Sequence, residues 1–309
     1  MATREAAPPQ PFRLRASRRR WGEDVVKGVL ALCALVSVAT TVGIVLALFQ
    51  PAIEFFQDIS IVDFLTGTNW APLFQPAAFG VLPLIAGTLV VTFCAALVCV
   101  PFGLGAAIYL SEYAKARTRK TLKPALEVLA GIPTVVYGYF ALTLVGPVLK
   151  DLGITSSAAS ALAAGLVMGV MLLPTVASIS EDAMSAVPRD LRDGAYALGS
   201  TRLQVSTRIV VPAAISGIVA SFVLAISRAV GETMIVLIAA GGQPNFTWNP
   251  FEAVQTMTAF IAATGQGDVP TGSLEYKTIF AVGATLFAMT LVMNLLAIRL
   301  VRRFREVYE

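Results

Sequence analysis

The sequence predicts an all-α integral membrane protein, a polytopic bundle of about six transmembrane helices with both termini cytoplasmic. Of its 309 residues, 56% are hydrophobic and only 14% are charged. Soluble domains average about 45–50% apolar and about 25% charged residues. The apolar residues form separate blocks, each long enough to cross a bilayer at about 1.5 Å per residue. The positive charges between these blocks fall on alternate sides, which is typical of membrane proteins.

The predicted spans follow from these apolar blocks. They cover residues 25–49, 81–110, 126–149, 158–180, 211–240 and 278–300. Residues 25–305 are therefore expected to form a single transmembrane domain, with a long cytoplasmic loop at 181–210. Residues 1–24 are expected to be a disordered basic tail. A cleaved signal peptide is disfavoured, because the first block far exceeds the roughly 7–15 apolar residues of such peptides.

The orientation follows from lysine and arginine. With six spans, 20 of the 23 Lys and Arg residues lie on one side. The opposite loops hold only Lys150 and Lys277, and Arg228 lies inside a span. The side rich in positive charge is cytoplasmic in such proteins. A nucleic-acid surface is a poor alternative, because these basic residues flank membrane helices and lack interleaved aromatic residues.

The sequence lacks the residues that several kinds of chemistry usually require. The chain has no histidine, which removes the commonest general base and metal ligand. The cysteines Cys33, Cys94 and Cys99 lie within apolar spans and match no metal or disulfide pattern. No GxxxxGK[ST] loop is present, so ATP would have to be bound by another chain. We therefore expect no catalytic residues, no metal and no cofactor.

The cytoplasmic loop contains the pattern helix, glycine turn, helix. Pro188 suits a first helical turn, Gly199 ends the first helix, and Ser200–Thr201 can cap the second. Leu191, Ala195 and Leu198 are predicted to form an apolar face, with Arg192 and Asp193 pointing elsewhere. Such a helix could lie on lipid, pack against its own bundle, or dock into a groove of a partner.

This loop resembles the EAA loop of ABC-importer permeases. Asp193-Gly194-Ala195 is followed by three residues, Gly199, nine residues, and Ile209-Val210-Val211-Pro212. The departures are Asp for Glu, Gly for Ala and Val for Leu. The resemblance implies that the element is the coupling helix, which docks into a cleft of an ATPase subunit. The implied coupling residues are Asp193, Gly194, Ala195, Leu198, Gly199, Ile209 and Pro212.

Further segments narrow the resemblance to permeases of phosphate-specific importers. These are AGIPTVVYGYFAL at 130–142, LPTVASISEDAMSAVPRDLRDGAYALG at 173–199 and SRAVGETMIV at 227–236. The external segment DFLTGTNWAP at 63–72 is more similar to the C-type subunits (PstC) than to the A-type (PstA). The resemblance covers about residues 25–305 and implies the type I ABC-importer architecture in a bacterial inner membrane. It also implies a PstA-like permease, two PstB-like ATPase copies and a PstS-like phosphate-binding protein as partners.

Two opposite charges, Arg228 and Glu232, lie deep in the fifth predicted span. Each charge costs about 2.5–3.5 kcal/mol at the centre of a membrane helix, so such residues normally face the bundle interior or an aqueous path. A guanidinium suits oxyanions, since it is always charged and donates parallel hydrogen bonds. We expect Arg228 to contact passing phosphate. Glu232 is expected to orient Arg228 or to pair with a basic residue of the partner. The alternative is an interhelical salt bridge that only fixes packing.

The sequence thus predicts a permease subunit of an ATP-driven inorganic phosphate importer, coupled to a separate ATPase through residues 188–212. The oxyanion follows from the physical chemistry, whereas phosphate follows from the resemblance alone. The alternatives are a sulfate or molybdate permease, the PstA-type subunit, and a membrane-embedded enzyme or scaffold. An enzyme is disfavoured because the spans hold no convergent set of acids and bases.

Overall fold

The computed structural model describes residues 21–267 and 269–303, and these residues are almost entirely helical. The π-helical turns are Tyr109–Tyr113, Ala141–Val145 and Ser206–Val210. A short antiparallel hairpin pairs β1 (Trp70–Ala71) with β2 (Ala78–Phe79) in the register Trp70↔Phe79. The α-helices are α1 (Trp21–Asp58), α2 (Ile61–Thr66), α3 (Leu82–Ile108), α4 (Ala116–Ala130), α5 (Thr134–Phe140), α6 (Gly146–Asp151), α7 (Ala161–Ser185), α8 (Arg189–Ala197), α9 (Arg202–Val205), α10 (Val211–Ala213), α11 (Ile215–Val230), α12 (Met234–Ala239), α13 (Met257–Gly265) and α14 (Leu274–Arg303).

Within the described residues, four helices are long and apolar enough to cross a membrane. They are Trp21–Asp58, Leu82–Tyr113, Ala161–Ser185 and Leu274–Arg299. Two bent pairs raise the number to six if each pair is one span: Ala116–Ala130 with Thr134–Asp151, and Arg202–Ala213 with Ile215–Val230. The predicted all-α membrane fold is confirmed.

The chain divides into two compact units after Ala47. The described part of the first unit, residues 21–47, is a stretch of α1 that exposes apolar side chains in all directions. A helix that is apolar all round requires a nonaqueous surrounding, which lipid or another helix supplies. The predicted disordered tail, residues 1–24, lies outside the described residues except for Trp21–Asp24. Those four residues begin α1.

The centre of the second unit is the close packing of α7 against α3. Gly165 faces Cys94 and Val91 of α3, and Gly169 faces Val98 and Ala95 one turn later. A methyl group at Gly169 would lie 2.6 Å from Val98 Cβ, so glycine is needed for this approach. The GxxxG spacing at these positions therefore serves helix packing, as in many membrane proteins.

Two of the predicted spans are bent or broken. The span predicted at 126–149 contains an 86° bend between α4 and the α5–α6 segment. Pro133 adopts ψ 137° at the start of α5, where it cannot continue the preceding helix. Tyr137 Oη donates to the Leu129 carbonyl across this bend at 2.9 Å. The span predicted at 211–240 bends by 72° near Ala214 and is interrupted again between α11 and α12.

The other helices differ from their predicted spans mainly in length. α1 continues through Pro51 to Asp58, because Ala52 and Phe55 are buried in the second unit. α7 runs to Ser185 rather than 180, and Ser160 Oγ caps its start by accepting from Ala163 N at 3.2 Å.

An aromatic cluster joins the segments of the predicted external side. Phe55, Phe64, Trp70 and Phe260 are buried there, and the rings of Trp70 and Phe260 meet edge to face at 4.9 Å. Phe260 belongs to α13, a short helix that lies between the fifth and sixth predicted spans. Thr256 Oγ1 caps α13, and Thr88 Oγ1 of α3 accepts from Met257 N at 3.1 Å. These contacts with distant residues explain a helix that its own short, uncharged sequence does not indicate.

Candidate functional site

The cytoplasmic loop forms the predicted helix, glycine turn and helix. α8 follows Pro188, and Gly199 adopts φ +81°, a conformation that L side chains rarely adopt. The second helix, α9, begins with a capping box. Thr201 Oγ1 accepts from Gln204 N at 3.4 Å, and Gln204 Oε1 accepts from Thr201 N at 2.9 Å.

The predicted apolar face of α8 is not buried as a unit. Ala195 is buried, but Leu198 is 89% exposed and Leu191 is also exposed. Arg192, predicted to point elsewhere, is the residue that faces inward, with its side chain only 16% exposed. The Arg192 guanidinium turns inward because buried hydrogen-bond acceptors lie there. Leu198 caps the end of α8, and its side chain stays exposed.

The implied coupling residues therefore fall into two groups. Ala195 is buried and Ile209 is partly buried, so they hold the loop in place. Asp193, Gly194, Leu198, Gly199 and Pro212 are exposed. Within residues 21–267 and 269–303, no cation lies within 4.0 Å of the Asp193 carboxylate. The exposed group includes the Asp193 carboxylate and the large apolar side chain of Leu198.

Arg228 lies in the last turn of α11, where a positive charge is favourable near the carbonyl end of the helix. Its side chain is exposed, on the same helix face as exposed Leu224 and Gly231. No described carboxylate lies within 4.0 Å of its guanidinium. Neighbouring Ser227 donates to Asn294 Oδ1 of α14 at 2.8 Å, which fixes the helix that carries Arg228.

Glu232 is 8% exposed, and only one of its two predicted partners, Arg228, belongs to this chain. Pairing with a basic residue of the partner subunit stays a prediction. The Glu232 Oε1 atom accepts from Met234 N at 3.1 Å and from Ile235 N at 3.4 Å, the first backbone groups of α12. The predicted contact with Arg228 is not formed. Because α11 ends at Val230, the four-residue spacing no longer corresponds to one helical turn. Glu232 instead supplies the acceptor that the first N–H groups of a new helix need.

The break between α11 and α12 is also held from α13. Thr258 Oγ1 donates to the Glu232 carbonyl at 2.6 Å. Nonhelical backbone at membrane depth is tolerated where it is buried in protein or lines a water-filled cavity. Broken helices near the midplane are common substrate sites in transporters. The structure therefore places exposed Arg228 immediately before a stabilised break in the span.

Comparison with known proteins identifies the family. Residues 99–306 match the family described as "binding-protein-dependent transport system inner membrane component". This chain belongs to that family. It is therefore a multi-pass inner-membrane permease subunit of an ABC importer, and proteins of this kind are transport permeases rather than enzymes.

Individual relatives agree over nearly the whole permease. It is 37% identical to the probable ABC transporter permease protein YqgH of Bacillus subtilis, over 92% of this chain and 93% of the relative. It is 28% identical to the phosphate transport system permease protein PstC of Mesorhizobium japonicum, over 96% and 95% of the two chains. A bacterial ABC transporter that imports alginate shares the fold, with a TM-score of 0.62 at 18% identity, over 93% of the permease and 100% of that chain.

Sequence reasoning missed a buried acidic residue of the permease. It identified only Glu232 as an acid deep in a span, but Glu181 at the cytoplasmic end of α7 is completely buried. Its carboxylate forms ion pairs with Arg119 and, at 2.8 Å, with Lys123, both on α4. Ser185 Oγ also donates to it at 2.9 Å. The four-residue spacing of Arg119 and Lys123 was the available signal, but the bend that brings α4 to α7 was not predicted.

Proposed function

We propose that this permease is the C-type subunit of an importer for inorganic phosphate. In this proposal a PstA-like permease completes the translocation path and two PstB-like subunits bind and hydrolyse ATP. A PstS-like protein delivers phosphate from outside. The PstC relatives and the resemblance of residues 227–236 support phosphate. The alginate importer has the same fold, so the fold by itself does not select a substrate.

The single observation that carries the proposal is Arg228. Its guanidinium is exposed, has no described carboxylate within 4.0 Å, and precedes the helix break. An uncompensated arginine within a span is costly in lipid. A second permease that faces α11 would enclose it in a protein-lined path. There the guanidinium could donate two parallel hydrogen bonds to a phosphate oxyanion.

Coupling to the ATPase is assigned to the exposed part of the cytoplasmic loop. Leu198 and Tyr196 present apolar surface, and Asp193 presents a carboxylate that is free within the described chain. An exposed large apolar side chain can fill a pocket in a partner and act as an anchor. We assign Leu198 as that anchor and Asp193 as a separate charged contact.

The test uses the complete complex in proteoliposomes, with labelled phosphate supplied together with the binding protein. Arg228→Gln is expected to reduce phosphate uptake by about tenfold or more, because it removes a charge-assisted contact to the anion. Arg228→Lys keeps the charge but not the paired donors. Its phosphate uptake is therefore expected to lie between that of the wild type and that of Arg228→Gln. Assembly and ATP hydrolysis should be retained in both variants.

Two outcomes would contradict this assignment. Normal uptake by Arg228→Gln would exclude Arg228 as the anion contact, and loss of assembly would favour an interhelical salt bridge. The transported anion is identified separately, by measuring the equilibrium binding of phosphate, sulfate and molybdate to the binding protein. Binding of sulfate or molybdate in place of phosphate would favour the other oxyanion importers.

A further inference from the structure

The π-helical turn Tyr109–Tyr113, at the cytoplasmic end of α3, contacts both helices of the cytoplasmic loop. The turn closes with an Ala114 N–H donating to the Tyr109 carbonyl at 2.8 Å. Its last two side chains, Glu112 and Tyr113, reach α8 and α9 respectively. Such π-helical turns are rare and are often found at functional sites.

The first contact is made by Arg192 of α8. Its Nη2 donates to Glu112 Oε1 at 3.1 Å and to the Met184 carbonyl at 2.7 Å, and its Nη1 donates to the Val187 carbonyl at 2.6 Å. Met184 is in the last turn of α7, where carbonyl groups lack helical partners. One guanidinium therefore joins α8 to the ends of both α3 and α7.

The contact between Arg192 and Glu112 is buried, and a further hydrogen bond orients the Glu112 carboxylate. The Glu112 side chain is 4% exposed, and Ser111 Oγ donates to the same Oε1 atom at 2.8 Å. Removing one partner of a buried charged pair leaves the other without compensation. Arg192 thus has a fixed geometry, unlike the neighbouring Asp193, which is exposed.

The second contact connects α9 to the same turn. Arg202 Cζ lies 5.8 Å from the centroid of the Tyr113 ring, within the range of a cation–π interaction. Adjacent residues of the Tyr109–Tyr113 turn thereby hold both helices that flank Gly199. Since α3 and α7 pack closely along Gly165 and Gly169, a displacement of the loop would move the two spans together.

We propose that the Tyr109–Tyr113 turn is the point at which movement of the cytoplasmic loop is transferred to α3 and α7. Arg192 is the principal positioning residue, Glu112 fixes it, and Tyr113 holds α9 through Arg202. This inference rests on the proposed function, because it assumes an ATPase that moves the loop. It assigns force transfer to residues that face the permease, whereas the exposed residues of α8 face the ATPase.

The first test measures phosphate uptake and ATP hydrolysis in the same proteoliposomes that contain the complete complex. Arg192→Gln should retain ATP hydrolysis, but phosphate moved per ATP should fall about tenfold. Glu112→Gln should give a smaller fall, because the two carbonyl contacts of Arg192 remain. Arg117→Gln is the matched control: it removes the same charge from an exposed position of α4, outside the loop assigned to the ATPase, and its ratio of phosphate moved per ATP should be unchanged.

Tyr113 provides a conservative comparison. Tyr113→Phe keeps the ring face for Arg202 and should keep the wild-type ratio of phosphate moved per ATP hydrolysed. Tyr113→Ala removes the ring and should lower that ratio. A wild-type ratio in Arg192→Gln, or a proportional fall in uptake and hydrolysis, would overturn the proposal. If Arg192→Gln does not assemble, Glu112→Gln decides in its place, and an unchanged ratio there overturns the proposal.

A second test does not depend on the substrate. Hydrogen–deuterium exchange of the purified full-length permease should be about tenfold faster across residues 189–199 in Arg192→Gln than in the wild type. Arg117→Gln should exchange like the wild type across the same residues. Unchanged exchange in Arg192→Gln would overturn the attachment itself. A wild-type complex that moves no phosphate, with the exchange difference intact, would refute the proposed substrate and leave the attachment standing.

Discussion

Arg228 and Glu232 have separate roles, although the sequence presents them as a pair. The helix ends between them, which leaves Arg228 exposed on α11 and directs Glu232 to the backbone of α12. Glu232 satisfies N–H groups that would otherwise lack acceptors at membrane depth. Arg228 is then free to interact with something outside this chain. Because α11 ends between Arg228 and Glu232, their four-residue spacing does not place the two side chains on one helix face.

Glu232 can be tested by comparing two substitutions. Glu232→Gln keeps a side-chain oxygen for Met234 N and Ile235 N, so we expect nearly wild-type thermal stability and uptake. Glu232→Ala removes the acceptor and should lower the stability of the purified permease by about 0.5–2 kcal/mol. Thermal unfolding in detergent measures the difference. If Glu232→Gln is as damaging as Glu232→Ala, the negative charge is required, and a basic partner is indicated.

At the scale of elements, the α3–α7 pair is the framework to which the other parts attach. Its glycine contacts bring the two helices close together, and Arg192 binds at the cytoplasmic ends of both. The α4 helix is attached to α7 through Glu181, which binds Arg119 and Lys123. The pair therefore connects the membrane core to the cytoplasmic loop.

The glycine packing predicts a loss of stability on adding a single methyl group. Gly169→Ala places that group 2.6 Å from Val98 Cβ and 2.9 Å from the Ala95 carbonyl, so α3 and α7 must separate. Such overpacking costs about 1–3 kcal/mol. Gly105→Ala is the control, because a methyl group at Gly105 of α3 meets no atom within 4 Å. Equal melting temperatures for the two variants would argue against close packing as the reason for Gly169.

For the whole molecule, orientation in the membrane decides which surface meets which partner. The distribution of Lys and Arg predicts that the loop at 181–210 is cytoplasmic and the loop at 241–277 is external. The proposed roles of Leu198 and Arg192 require this orientation, since the ATPase must act from the cytoplasm. Exposed Trp248 would then lie on the side where the binding protein delivers its substrate.

Cysteine labelling tests this orientation directly. In a background with Cys33, Cys94 and Cys99 changed to alanine, Trp248→Cys should react with a membrane-impermeant maleimide added to intact spheroplasts. Leu198→Cys should react only after the membrane is opened, because its exposed side chain faces the cytoplasm. Reaction of Leu198→Cys in sealed spheroplasts would reverse the topology and remove the basis for the coupling assignment.

The prediction from sequence succeeded where the controlling property belongs to a short stretch of chain. Apolar length indicated the membrane helices, and glycine and cap residues indicated the turn at Gly199. It failed where a distant residue determines the outcome. Arg192 turns inward because it binds Glu112, 80 residues away in the chain, and no local pattern in α8 reveals that acceptor. Leu198 and Ala195, which were predicted to share one apolar face, are accordingly separated: Ala195 is buried and Leu198 is exposed.

The sequence by itself determined that this protein is a helical membrane protein, because hydropathy and charge are summed along each segment whatever its neighbours. It also indicated the loop that resembles a coupling element. Only the tertiary structure decided where the spans break, which face of α8 packs inward, and that Glu232 caps α12 while Glu181 is buried against α4. Those features depend on whether a donor, an acceptor or open space lies opposite a side chain, and only folding brings those atoms together.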